Sequence, residues 1–449
     1  MSESSLLHSN VLGEDKNSMY AGSFRTTKEG QALGSANMLR ALSMKAAFLL
    51  VVVSVISLLT EGKVNGWYQR YITFYNETLP SSPELQALWS EHLHTYRKHQ
   101  KRAVNRYPIP NFACHTQFPW LGREPSSVHN LHPADVDVVA ALGDSLTAGN
   151  GVDATNILQD LIEYRGLSWS GGGDGSLDEG VLTFPNILKK YNPQVVGYSV
   201  GTGKSTDVSS GLNVADPGDT SFEMSLQAQM LVDRMKTTTD FQNDWKVITI
   251  FIGGNDLCDA CNDWTRYSPA NYRKNLQDAL DIFHAELPRT LVNLALIFDI
   301  APIAQLGKTN IWCSLVHALV CACGHDPSMA LALRDLTHAY QNATESLIAS
   351  GRYDTRDDFT VVIQPFFKHT ELPVLASDPN TVDMSFFSAD CFHFSGKGQG
   401  AAALSLWNNM CEAVGEKQEE WYLDQPFHCP GSRELGNHTY FQTAFSSHL

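Results

Sequence analysis

The sequence predicts an α/β fold, a three-layer sandwich in which a parallel central sheet carries helices on both faces. From Val136 onward, short apolar runs alternate with stretches of helical spacing, the pattern of strands joined by crossover helices. Polar clusters follow directly on several of those runs, and sites in open α/β sheets form at the carboxyl ends of strands. The 449 residues exceed one small domain and suit one large unit with extensions, and a hydrophobic content of 43% supplies its core.

Residues 1–37 are polar, rich in Ser, Gly and Asn, and read as disordered. Arg40 and Lys45 then precede an apolar run from Ala46 to Leu59, shorter than the ~20 residues that span a bilayer and matching the hydrophobic region of a signal peptide. A start at Met38 or Met44 would make it an ordinary signal peptide, and a signal anchor is the other reading. Both place the rest of the chain outside the cytosol, secreted or on the extracellular face of a membrane. Sequons at Asn76, Asn342 and Asn437 point the same way, as do nine cysteines, which persist as disulfides in an oxidising compartment. The odd count leaves at least one unpaired or paired between chains.

Residues 63–133 hold Trp67, Tyr68, Tyr71, Phe74, Tyr75 and Trp89 among charged helical stretches, and read as a lead-in that packs on the main domain, 134–425. Residues 426–449 form a C-terminal tail. Within the main domain, Val138–Leu142, Val247–Ile252, Leu291–Ile300 and Phe359–Ile363 read as buried strands. Thr220 to Glu223 has the form of a capping box opening a helix through Lys236. Ser268-Pro269 starts a helix to about Glu286. Met329 to Ser350 and Gly396 to Val414 are further helices. Strand order does not follow from this pattern.

Gly143-Asp144-Ser145 opens where the first strand ends, which exposes a serine on a rigid support. A serine oxygen becomes a nucleophile only with a base to take its proton and donors for the oxyanion that forms. Asp390-Cys391-Phe392-His393 offers a carboxylate three residues before an imidazole, the chemistry that orients a base. Gly253-Gly254-Asn255-Asp256 puts an amide at the end of a second strand. Alone, a Gly-Asp-Ser turn is ordinarily a turn and Asp-x-x-His is weaker still; the ordered set of strand-end clusters is what points to catalysis. Asp144 and Asp256 read as structural, each bonding its own turn.

Other features of the sequence have simpler readings. Cys258-x-x-Cys261 and Cys321-x-Cys323 resemble zinc-ligand spacing, but an oxidising compartment favours disulfides, and a local bridge at Cys258 would stiffen the loop carrying Asn255. The glycine-rich stretches 171–175 and 201–205 lack the full phosphate-cradling pattern and read as flexible loops near the site entrance. A net charge of −16 argues against a nucleic-acid partner.

Gly143-Asp144-Ser145-Leu146, Gly253-x-Asn255-Asp256 and Asp390-x-x-His393 resemble the signature blocks of the GDSL (SGNH) serine hydrolases. Val128 to Gly149, the Gly172, Asp174 and Gly175 block, Phe184 to Leu188, Asn213 to Gly218 and Leu257 to Cys261 resemble animal phospholipase B, over roughly Cys114 to Pro430. The resemblance implies an SGNH-like fold, Ser145 as nucleophile with Asp390 and His393 completing a triad, and an oxyanion hole from the amides of Ser145 and Gly218 and the side chain of Asn255. It also implies an ester hydrolase that acts on phospholipids or lysophospholipids at a membrane or micelle surface, with no cofactor and no metal. The rival readings are a general lipase, a carbohydrate acetylesterase, and a catalytically idle binding protein on the same fold. Phe386, Phe387, Phe392 and Phe394 are candidates to line an acyl groove.

Overall fold

The structure, a computed structural model, describes residues 67–83, 85–87, 89–90, 106–116, 125–308, 311–421, 423–430 and 440–443. All of them belong to one of the chain's two units, residues 51–449. The leader with its Ala46 to Leu59 run, the sequon at Asn437 and the side chains of Trp67 and Tyr68 lie outside the described residues. Among the described residues no helix is long and apolar enough to cross a membrane.

Four parallel strands form the central sheet in the order β1 (Val138–Gly143), β2 (Lys246–Phe251), β3 (Thr290–Ala295) and β4 (Phe359–Gln364). Every residue of β1, β2 and β3 is buried, which is why these strands read as continuous apolar runs instead of alternating ones. Parallel neighbours need long crossovers, and the helices supply them. Helices α1 (Met224–Thr238), α2 (Pro269–Glu286) and α3 (Ala330–Ile348) pack side by side, while α4 (Gly396–Cys411) packs with the short helix Phe184–Leu188. A broken fifth line of backbone flanks β1: Val196 bridges Val138, and Asn213 bridges Ala141. A separate pair, β5 (Val374–Leu375) and β6 (Asp378–Val382), is antiparallel.

The helix expectations hold with small shifts. Thr220 and Glu223 form the capping box, but it opens a single 3₁₀ turn, Ser221–Glu223, before α1 begins. The third strand is shorter than the apolar run that announced it. Its ladder to β4 ends at Ala295, and Phe298 and Ile300 instead wall the cavity described below, so burial there reflects a pocket and not a sheet.

Helix Trp67–Thr73 packs on helix Ile311–Val320, where Arg70 Nε donates to Leu319 O at 2.9 Å and Arg70 Nη2 to Asp259 Oδ1 at 3.2 Å. Trp89 meets Trp312 edge-on at 5.2 Å. Cys114 bonds Cys429, so the lead-in is covalently joined to the tail. The local Cys258–Cys261 bridge does not form. Cys258 pairs with Cys321 and Cys261 with Cys323, two parallel cross-links between loops more than 60 residues apart. Cys313–Cys391 is the fourth bond, and Cys411 is the free, buried cysteine.

Candidate active site

β1 ends at Gly143, whose φ of 151° is a value L side chains rarely adopt; a β-carbon there would lie 2.3 Å from Phe251 O. Asp144 is then the N-cap of the four-residue helix Ser145–Ala148, its Oδ1 accepting from Leu146 N at 2.9 Å. Ser145 is buried, at 3% exposure, which corrects the expectation of an exposed serine. Residues that follow β2, β3 and β4 line one cavity together with Ser145.

Far along the chain, the segment after β4 returns to this turn. His393 Nε2 lies 2.8 Å from Ser145 Oγ, and His393 Nδ1 lies 2.5 Å from Asp390 Oδ2. Asp390 Oδ1 accepts from the backbone N–H of Phe392 at 2.9 Å and of His393 at 3.0 Å. All three side chains are buried. Burial pushes the Asp390 carboxyl up, but the His393 imidazole and the two N–H groups hold it below the usual carboxylate range. The carboxylate therefore stays charged and fixes the proton of the imidazole on Nδ1, which leaves Nε2 free to accept from the serine.

The Asp-x-x-His turn is held from outside. Cys391 has φ 60°, a left-handed value, and is bonded to Cys313 of helix Ile311–Val320. One turn further along that helix, His317 Nε2 lies 3.0 Å from Cys391 O. A carbonyl only accepts, so this nitrogen carries the proton, and burial lowers the His317 pKa to about 4, which keeps the ring neutral.

Residues 212–216 run parallel to β1, with Val214 N donating to Ala141 O at 2.9 Å and Asp216 N to Gly143 O at 3.2 Å. Gly218, at φ 90°, therefore follows just beyond the end of β1. Asn255 starts from the end of β2, and its Nδ2 donates to Asp219 O at 2.7 Å, so one amide hydrogen ties Asn255 to the loop of Gly218 and leaves a second. Asp256 differs from expectation. It reaches across to Ser221, accepting from its N at 2.8 Å and its Oγ at 2.6 Å, instead of serving only its own turn. The glycine-rich stretches differ too: Gly172 bridges Ser199, Asp174 accepts from Gly201 N, and neither stretch lines the cavity.

The cavity is lined by Ser145, Asn255, Phe392 and Phe394, with Phe298, Ile303, Leu306 and Trp421 among its apolar walls. Phe387 lines it as well, but Phe386 does not; it packs on Trp421 and under Lys397. The wall residues 298–306 escaped the sequence reading because an apolar run says buried without saying against what. Among the described residues, no group of three or more His, Cys, Asp and Glu side chains is placed to hold a metal ion.

Three carboxyls behind the turn titrate high because burial penalises their charge: Asp144 and Asp219 at about 7, Asp256 at about 6. Each keeps its proton in the folded chain at a pH where the unfolded chain has lost it. The stability they contribute therefore falls as pH rises from about 4 towards 7. Asp219→Asn removes one such group. Between pH 5 and pH 8 the variant's melting temperature should gain on the wild type's by roughly a few degrees; a variant that loses ground over that interval would refute the assignment.

Residues 139–406 match the GDSL-like Lipase/Acylhydrolase family. Phospholipase B1, membrane-associated, from Homo sapiens is 50% identical over 303 residues, 65% of this chain and 21% of that protein. The protein of the same name from Mus musculus is 44% identical over 361 residues, 76% of this chain and 24% of that protein. The chain thus spans about a fifth to a quarter of the length of these relatives. Ser145 and Asn255 line one cavity, His393 and Asp390 follow Ser145 in a hydrogen-bonded row, and by the family match this chain belongs to the GDSL-like lipases and acylhydrolases.

Proposed function

We propose that this chain is a serine esterase that cleaves acyl esters of phospholipids and lysophospholipids. The observation that carries the reading is the buried relay from Ser145 Oγ to His393 to Asp390, at 2.8 and 2.5 Å. Ser145 attacks the ester carbonyl while His393 Nε2 takes its proton, and Asp390 stabilises the imidazolium. The amides of Ser145 and Gly218 and the second Nδ2 hydrogen of Asn255 hold the oxyanion. His393 then protonates the leaving alcohol, and the same base activates water to release the fatty acid from Ser145.

The apolar lining supports a long acyl chain over an acetyl group, since Phe298, Ile300, Ile303, Leu306, Phe392 and Trp421 offer more apolar surface than two carbons can cover. The names of the relatives support phospholipid over other esters. The test is a panel of phospholipids, lysophospholipids, triglycerides and acetylated sugars, run on the wild type and on Ile303→Trp. The wild type should favour the phospholipids, and the variant should lose long-chain activity about tenfold more than short-chain activity. Preference for acetylated sugars, or an unshifted chain-length profile, would overturn the reading.

We also infer that the chain works outside the cytosol, supported by four disulfides and by the exposed positions of Asn76 and Asn342. Protein from a eukaryotic host should lose mass on glycosidase treatment; an unchanged mass would count against it.

A further inference from the structure

Gly143 stands at the very residue where β1 hands over to the nucleophile turn, and its O already accepts from Asp216 N at 3.2 Å. One side chain meets both of its peptide groups. Gln227, on α1 and only 2% exposed, accepts from Gly143 N at 2.9 Å through Oε1 and donates to Gly143 O at 2.8 Å through Nε2. The same Nε2 donates to Asp219 Oδ2 at 2.7 Å. Gly143 stands two residues before Ser145, and Asp219 one residue after Gly218. A single amide thus clasps the two backbone segments whose N–H groups are read as the oxyanion donors.

We propose that Gln227 is a positioning residue for ester hydrolysis, fixing the Ser145 turn and the Gly218 loop at the separation that lets donors from both meet one oxyanion. The inference rests on the reading of Ser145 and Gly218 given above. The head group must present one acceptor and two donors within a single plane, which among side chains of this length is the inventory of glutamine alone. The clasp extends to the third donor, because Asp219 also takes Asn255 Nδ2 on its carbonyl. The upstream end of the loop is held independently by the buried Arg165, whose Nη1 donates to Asn213 O at 3.1 Å and Nη2 to Ala215 O at 2.7 Å. With that end fixed, the downstream end at Gly218 is set by Gln227 together with Asn255. Oxyanion donors act by preorganisation, and a misplacement of about 1 Å is enough to cost on the order of 10²-fold in rate.

The experiment uses the full chain, a soluble p-nitrophenyl ester, and titration of competent sites with a fluorophosphonate. Per titrated site, Gln227→Met should lower kcat by about 10- to 100-fold and leave KM within about twofold. Gln227→Glu keeps the acceptor for Gly143 N but sets a carboxylate against Gly143 O and Asp219. Its deficit should widen from pH 6 to pH 8 as both acids ionise, and should narrow in Gln227→Glu/Asp219→Asn, where the new amide can donate to the introduced carboxylate. If turnover per titrated site in Gln227→Met equals the wild type's and only the number of sites falls, Gln227 serves folding alone and the inference is overturned. If the fluorophosphonate does not label Ser145 in the wild type, the underlying reading fails instead.

Discussion

Replacing Ser145 by alanine should give a folded protein without esterase activity, with kcat down by about 10⁶ where the triad acts as a unit. The substitution removes one oxygen and keeps the β-carbon, so although the residue is buried, no packing atom is lost. The hydroxyl's partner, His393, keeps its imidazole bonded to Asp390 when the hydroxyl is gone. Thermal melting and hydrolysis of a phospholipid by the same preparation check both halves. Turnover within about tenfold of the wild type would sink the mechanism.

Asp390→Asn should cost about 10⁴ in kcat, the scale on which triads lose activity when the base holds its proton on the wrong nitrogen. Asp390 receives three N–H groups, two on Oδ1 and the imidazole on Oδ2. An asparagine has one acceptor oxygen. If that oxygen keeps the two backbone donors, the NH₂ group faces Nδ1 and makes it accept, which moves the ring proton to Nε2. There it blocks transfer from Ser145. A variant with a loss of less than about tenfold would show that Asp390 does not set the tautomer.

The parts of this site that were legible in the sequence are those where one residue's chemistry is rare in its local context. Gly-Asp-Ser after an apolar run and a carboxylate three residues before a histidine are each weak alone, and they became visible because both fall, with Asn255, in one ordered set of polar clusters. Gln227 was invisible for the opposite reason. It sits among Met224, Ala228 and Leu231 on the buried face of α1, where one polar residue in an amphipathic pattern looks like the edge of the stripe. The pairing of Cys258 and Cys261 was likewise hidden, because spacing along the chain says nothing about which loop crosses above. The cavity that Ser145 lines is also walled by residues from 298–306 and 370–373, more than 150 positions away, and no local pattern reports a wall of that kind.

The bond between Cys114 and Cys429 has a mechanical consequence. It joins positions 315 residues apart, so once the lead-in before Cys114 has been pulled from helix Ile311–Val320, tension runs through a covalent shunt and the sheet carries none of it. Under oxidising conditions a pulled chain should yield only its flanking segments. Once the bond is reduced, a further extension of about 1,050 Å becomes available, at roughly 3.3–3.6 Å per residue. In a larger protein strung between two anchors, this unit would behave as a rigid bead that keeps working under load.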